Sequence, residues 1–318
     1  MKKYIKIAIF GVLSWALGAC SDSVERDPSP TVSPDCVGVY FSESNTYNYE
    51  LDPAVTSITL TVGRDKSDAA VTVPVKVIAN SDNIFVVPES VSFAAGEAET
   101  TLEVTFPNAE IGTEYSFELT FDSEYINPYK GASLSRTVMQ LIKWESVGTG
   151  VWVDGTISAA FGVNLIPVAV ELEKADLGNS IKYRFYNAYA PATEIVDEEN
   201  GIYNGYPYNM TVLEENCAYV ITKTDQGFIL NPASMGMTLN ATYGLFSLGT
   251  VYRNLSDANG IITDLKTYPL GTQEGDVITF PLKSLYLKLA DYGVLIADAN
   301  PTLLYLSVDA YKASVKDK

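Results

Sequence analysis

Between residues 37 and 143 apolar and polar residues alternate with a period of two, and this pattern constrains the fold more than any other feature of the chain. Ile58, Leu60 and Val62 alternate with Thr59 and Thr61, and Val71, Val73, Val75 and Val77 with Thr72, Pro74 and Lys76. Leu102, Val104 and Phe106 repeat the pattern, as do Tyr115, Phe117, Leu119 and Phe121. A period of two places one face of an extended segment in a core and the other in water. Turn-forming clusters separate the runs: Gly63-Arg64-Asp65, Asn80-Ser81-Asp82-Asn83, Ala95-Gly96-Glu97 and Pro107-Asn108. About seven short strands at this spacing predict a β-sandwich over residues 37–145. Pro74, which has no N–H to give to a ladder, predicts an edge or a bulge at that point.

The second half reads as β-rich as well. Strands are expected over residues 151–158, 168–172, 181–186, 208–213, 218–222, 227–230, 244–252, 277–280, 285–289, 293–296 and 303–307, with no long helix. Asn259-Gly260 and Gln273-Glu274-Gly275-Asp276 mark turns. The fold class is therefore all-β: an immunoglobulin-like sandwich followed by a second β-sandwich or an open β-barrel. The length of 318 residues suits two domains. Gly148 and Gly150 place the boundary near them, so the second domain is expected over residues 150–318. Trp144 and Trp152 flank that junction and are expected to seal the interface between domains.

The N-terminus carries an address. Lys2, Lys3 and Lys6 precede an apolar run at residues 7–17, which is signal-peptide length and short for a membrane span. Leu17-Gly18-Ala19-Cys20 follows, and resembles the lipobox of bacterial lipoproteins. That resemblance implies a signal peptide over residues 1–19 and lipid on Cys20, an anchor to the outer membrane. The acidic stretch Ser21-Asp22-Ser23-Val24-Glu25-Arg26-Asp27 resembles the surface-export signal of Bacteroidetes lipoproteins and implies cell-surface exposure. Residues 20–36 then read as an extended, Pro-rich tether.

Within the sandwich, Thr72-Val73-Pro74-Val75-Lys76-Val77, Val91-Ser92-Phe93-Ala94-Ala95-Gly96-Glu97, Thr101-Leu102-Glu103-Val104 and Phe117-Glu118-Leu119 resemble a Calx-beta or related immunoglobulin-like module. That family includes calcium binders, but Glu118, Asp122 and Glu124 are scattered, so no metal is expected here. The segment from Trp144 to Asp154, with Tyr183-Arg184-Phe185-Tyr186-Asn187-Ala188-Tyr189, resembles an uncharacterised β-rich C-terminal domain of Bacteroidetes outer-membrane lipoproteins. These motifs are structural and imply no chemistry.

Charge and composition exclude several functions. The formal net charge is −18. The first 19 residues hold three of the 21 basic residues and no acid, so the remainder carries 18 basic against 39 acidic residues, or −21. Such a chain repels phosphate backbones, so nucleic acid is not an expected partner. The absence of histidine removes Ser-His-Asp and Cys-His nucleophile systems and His-ligated zinc. No phosphate-cradling loop or CxxC pair is present, and no cofactor is expected. Cys36 and Cys217 either pair across the two halves or pack as small apolar residues.

Three groups are candidates for a site. Tyr203, Asn204, Tyr206, Tyr208 and Asn209 surround Gly205 and Pro207. Tyr rings stack on sugar C–H faces and Asn amides bond hydroxyls both ways, so the segment suits a glycan platform. It suits equally a Tyr-rich hairpin packed on its own sheet. Tyr183, Tyr186 and Tyr189 with Arg184 divide between two strand faces, as core and surface. The acids Asp197, Glu198 and Glu199, and the neighbours Glu214 and Glu215, are the carboxylate pairs a glycosidase would need, or else solvated surface charge. Three functions follow: a non-catalytic surface lipoprotein that binds glycan or assists its uptake, a structural or adhesive protein holding a protein or matrix partner, and a carboxylate-based glycoside hydrolase.

Overall fold

The computed structural model describes residues 29, 31–178, 180–208, 210–240, 242–258, 260–290 and 292–316. The expected signal segment, Cys20, most of the expected tether and Asn209 lie outside the described residues. The body is almost entirely β, in two successive domains.

The first is a sandwich of eight strands: β1 (Val39–Phe41), β2 (Asn48–Leu51), β3 (Ser57–Arg64), β4 (Val71–Asn80), β5 (Ser90–Phe93), β6 (Glu99–Thr105), β7 (Glu114–Phe121) and β8 (Leu134–Leu141). One sheet runs β1-β3-β6, the other β2-β8-β7-β4-β5. The alternating residues meet between the sheets. Leu60, Val62, Val104, Phe117 and Leu119 have no exposed surface, and Phe41 stacks on Phe121 at 4.7 Å between ring centroids. Burying each such side chain stabilises the fold by about 1.5–3 kcal/mol. Pro74 stands where β4 leaves β5 and takes up β7 at Val75, so its missing N–H costs no ladder bond. The valine run keeps its alternation only in part. Val73 is buried, whereas Val77 is 44% exposed beside a bulge that shifts the register before Ala79.

The second domain is built on a ten-stranded sheet, eight strands of which run antiparallel and curl into a nearly closed barrel, while Ile202–Tyr203 pairs parallel to one of them and Ile195–Asp197 pairs with it in turn. The spatial order of the eight is Gly227–Leu230, Ala218–Thr224, Ile181–Tyr186, Pro167–Asp176, Glu145–Val153, Thr302–Tyr305, Val277–Phe280 and Thr272–Glu274. The first and last strands meet at one bridge, where the Phe228 N–H donates to Gly271 O at 2.8 Å and the Gly271 N–H to Phe228 O at 2.9 Å. Gly271 is required at this seam, because a Cβ there would stand 2.9 Å from the Phe280 ring. Of the two expected forms, sandwich or barrel, the barrel is the one observed.

The boundary differs from the expected one. The strand that opens the barrel begins at Glu145, and the chain crosses between domains at residues 142–144. Gly148 (φ 95) is a bulge inside that strand, where pairing slips between Leu172 and Glu173. Trp152 is likewise not at the interface: it is 1% exposed inside the barrel, 5.1 Å from Phe185. Trp144 is half-buried at the crossing, with the Arg184 guanidinium 4.1 Å above its ring.

Two helices depart from the all-strand expectation. The predicted strand 151–158 stops at Val153, and α1 (Gly155–Phe161) follows because the Asp154 carboxylate accepts from the Thr156 N–H at 2.6 Å and the Ile157 N–H at 3.4 Å. The second, α2 (Val308–Lys316), packs Tyr311 edge-on to Tyr305 outside the barrel. The predicted strand 208–213 shrinks to Thr211–Val212, paired with Met237–Thr238.

The two barrel ends are unlike. At one end the connections are tight: residues 177–180, Asp225-Gln226 and Gly275-Asp276. The sandwich docks there, through the Lys182–Glu50 ion pair and Gly112 against Leu177. At the other end lie the long connections 154–166, 187–217, 231–271 and 281–301. Two of them supply a four-stranded sheet, Ala233–Ser234, Phe246–Thr250, Leu285–Leu289 and Gly293–Ile296, whose Phe246, Leu248 and Leu287 join the barrel core. In the sandwich, the Val39 N–H donates to Tyr125 O in the β7–β8 loop, the pole away from the barrel. The tether therefore enters at one extreme of the molecule and the long barrel loops lie at the other.

Candidate functional site

The segment singled out from sequence divides between core and wall. Tyr206 is 2% exposed and turned into the barrel core, 5.5 Å from Tyr189. This corrects the expectation of an open stacking face: the ring is enclosed, and burial, with the nearby Asp154 charge, pushes its hydroxyl far above the usual phenol range. Tyr203 is half-buried and paired with Val168 and Ile195. Tyr208 packs on the same core, its hydroxyl accepting from the Asn164 N–H at 3.3 Å. Asn204 is exposed, but its amide is committed. It accepts from the N–H groups of Thr193 at 3.0 Å and Glu194 at 3.1 Å, and donates to the Thr193 hydroxyl at 2.7 Å. The segment braces its neighbour: Tyr206 N–H donates to Ala190 O at 2.7 Å and Ala192 N–H to Tyr206 O at 3.0 Å. Gly205 permits this approach, since a Cβ would collide with the Ala190 carbonyl.

What the segment braces is one wall of a cavity of about 420 Å³ at the long-loop mouth. Three segments of two connections meet there, at residues 187–191 and 212–217 of one and 235–236 of the other. Tyr189, Met235 and Cys217 form its floor, and Asn187, Glu214 and Glu215 belong to its rim. Asn187 (φ 55) and Asn216 (φ 58) adopt the left-handed conformation that Asn tolerates, and the Asn187 N–H donates to Cys217 O at 3.0 Å, carrying the barrel ladder one step into the mouth. Gly236 (φ 69) lets the second connection close in, where a Cβ would stand 2.6 Å from Glu214 O and 2.8 Å from the Cys217 sulfur. The size lies within the range of small-molecule sites.

A buried polar network holds the floor. The Tyr189 hydroxyl donates to Asp154 Oδ2 at 2.7 Å, and the Trp152 indole N–H donates to the Tyr189 hydroxyl at 3.1 Å. Thr302 donates to Asp154 Oδ1 at 3.3 Å. Asp154 is 2% exposed, so its carboxylate is satisfied by these donors and by the N-terminus of α1. Burial first, then the Asp154 charge, hold the Tyr189 hydroxyl well above its ordinary value, so it stays a hydrogen-bond donor at any physiological pH. Burial raises the Cys217 thiol, opposed by its hydrogen bond with Ser234 and reinforced by Glu214. A raised thiol is a weak nucleophile. Cys36 and Cys217 are both free.

The acidic candidates separate. Asp197 forms an ion pair with Lys312 of α2 at 2.7 Å and accepts from Asn200; these bonds hold its carboxyl at about 2. Its work is to pin the C-terminal helix. Glu214 and Glu215 reach the cavity rim, where Glu214 accepts from the Ser234 hydroxyl. Of the aromatic group, Tyr183, Phe185 and Tyr189 are buried, while Arg184 pairs outside with Glu173 at 2.7 Å. Asp154 escaped the sequence reading. Its signal was local: an Asp directly before Gly-Thr, at the end of an apolar run, in N-cap position.

A scan of protein-family models finds no match, and a search of curated proteins finds none. Among solved structures, the chain is similar to a Bacteroides ovatus ATCC 8483 protein described provisionally as carbohydrate-binding, at 13% identity over 83% of this chain and 99% of that one, TM-score 0.26. It is also similar to the calcium binding domain CBD12 of CALX1.1, at 13% identity over 51% of this chain and 83% of that one, TM-score 0.27. A third similarity is to a multidomain Bacteroides ovatus protein that includes DUF1735, at 8% identity over 84% and 91%, TM-score 0.27. TM-scores this far below 0.5 transfer no property to the present chain.

Proposed function

We propose that this chain is a non-catalytic lipoprotein of the outer-membrane surface, anchored through Cys20, that binds glycan in the mouth cavity of its barrel or assists glycan uptake there. The cavity carries the reading. It pairs an apolar, partly aromatic floor with a rim of amides and carboxylates, the combination that receives a ring with one C–H face and an edge of hydroxyls. Its position supports the same use. The tether enters at the far pole of the sandwich, so an anchored molecule would hold its cavity away from the membrane.

The test is a glycan array probed with residues 21–318, alongside Val212→Arg. Val212 lines the cavity and is 41% exposed, so arginine there obstructs the mouth without disturbing the core. Saturable binding lost in the variant supports the reading. Binding that survives Val212→Arg removes the cavity from it, and a blank array removes glycan.

One observation favours the adhesive alternative. The strand Gly293–Ile296 is the free edge of the four-stranded sheet, with Val294 43% and Leu295 40% exposed next to Tyr292 at 68%. Apolar edges invite pairing with another chain. Capture of a protein partner that Val294→Lys abolishes, together with a blank glycan array, would establish that alternative.

A further inference from the structure

Next to Tyr189, which lines the cavity, lies a hydroxyl with no partner among the described residues. Tyr219 is the second residue of the strand Ala218–Thr224 and has no exposed surface. Its ring stacks on Phe185 at 5.3 Å and lies 5.6 Å from Tyr189. Its hydroxyl is one of three fully buried side-chain polar atoms without a hydrogen bond among the described residues. Of the others, Thr137 belongs to the sandwich, and Ser284, in one of the long connections, does not line the cavity. Tyr219 does not itself line the cavity, but it touches the lining: its ring is 5.6 Å from that of Tyr189, and it stands two residues along the chain from Cys217, on the same face of the extended backbone. The neighbouring acceptor is already taken, since Asp154 receives Tyr189 and Thr302.

A buried hydroxyl left unpaired destabilises a fold, and phenylalanine would fill the same volume without that cost. The electrostatics around it are one-sided. Glu214 and Glu215 are the charged groups lining the cavity, Asp154 lies behind its floor, and no cation lines it among the described residues.

Resting on the glycan-binding reading above, we infer that Tyr219 is the inner anchor of the mouth site, its hydroxyl reserved for a ligand hydroxyl or amine, and that the site takes neutral or amine-bearing sugars and excludes acidic ones. A ligand reaching past Tyr189 and Cys217 gives the Tyr219 hydroxyl the partner the fold withholds. A uronate, sialate or sulfate would enter against two rim carboxylates with no counter-charge, whereas an ammonium would be drawn in.

The experiment uses residues 21–318 on an array of neutral, amine-bearing, uronic, sialylated and sulfated glycans, followed by calorimetry on the strongest neutral hit. Three proteins are compared: the unaltered sequence, Tyr219→Phe and Glu215→Lys. Hits are expected among neutral and amine-bearing glycans. Tyr219→Phe should weaken them roughly three- to tenfold, the range for one uncharged hydrogen bond, while its Tm rises. Glu215→Lys, an exposed change that leaves the core alone, should admit acidic glycans. Neutral binding untouched by Tyr219→Phe overturns the anchor and leaves the proposed function standing. Acidic glycans bound as well as neutral ones by the unaltered protein, or still excluded by Glu215→Lys, overturn the charge selection. A blank array overturns the proposed function and this inference with it.

Discussion

The sandwich and the barrel are built from similar alternating strands, yet the barrel buries far more polar chemistry among its apolar residues. Between the sandwich sheets lie Leu60, Val62, Val104, Phe117 and Leu119, and the one buried charge, Arg64, gives its N–H groups to the carbonyls of Ser67, Ala69, Ala94 and Glu97 at its margin. The barrel encloses Trp152, Tyr189, Tyr206 and Tyr219 around the carboxylate of Asp154. A core filled mainly with hydrocarbon holds the fold, and its few buried hydroxyls, Thr137 among them, do not line the cavity at the barrel mouth. A core lined with phenols must satisfy or leave open a set of hydrogen bonds, and that is where a ligand can compete. The loops follow the same division, tight at the docked end of the barrel and long at the mouth.

The largest expected effect tests the dry side of this comparison. Phe117→Ala should cost about 3–5 kcal/mol by chemical denaturation, the usual penalty for emptying a packed aromatic site. With Trp144 replaced by Phe, the fluorescence of Trp152 should follow the barrel separately. A loss below 1 kcal/mol would mean that the sandwich core is not what holds that domain. Next comes Asp154→Ala, expected to cost about 2–4 kcal/mol, because it removes a helix cap and strands the hydroxyls of Tyr189 and Thr302. Equal stability with and without this carboxylate would break the claim that the barrel interior depends on polar order. Tyr219→Phe should act in the opposite direction, adding about 1 kcal/mol. A loss instead would show that the hydroxyl has a partner in the free protein.

The smallest effect lies at the C-terminus. Asp197 is held at about 2 in the folded protein against 3.8 for the free side chain, so its contribution is present above pH 4 and lost as pH falls toward 2. Asp197→Asn should therefore lower Tm at pH 7 and match the unaltered protein near pH 2. A difference that persists at pH 2 would deny the Lys312 pair its role.

Legibility differs between the domains for the same reason. In the sandwich, the runs ending at Phe106 and Phe121 name their own buried residues, because period two and burial coincide when one face of a sheet is wet. The valine run loses this at Val77, where a bulge turns the strand. In the barrel, several strand limits were readable, among them residues 181–186, 227–230 and 277–280. The boundary was displaced, because Gly148 looks like a linker in sequence and serves as a bulge in the ladder. Tyr203, Asn204, Tyr206 and Tyr208 were visible as an aromatic cluster, but their composition is the same whether the rings face a ligand or a core. Asn204 spends its amide on its own loop, and Tyr206 turns inward.

Local sequence determined most of the strands, the tight turns and the acidic charge, since each depends on residues a few positions apart, and it also holds the cap at Asp154, although the apolar run there reads as a strand. Tertiary structure alone decided that the second sheet closes on itself at Phe228 and Gly271, and that residues 187–191, 212–217 and 235–236 converge on one cavity. It also decided that the Tyr219 hydroxyl is left without a partner. These are consequences of strand order and of long connections returning to one mouth. No periodicity records them, because the groups involved are neighbours only after the barrel has curled.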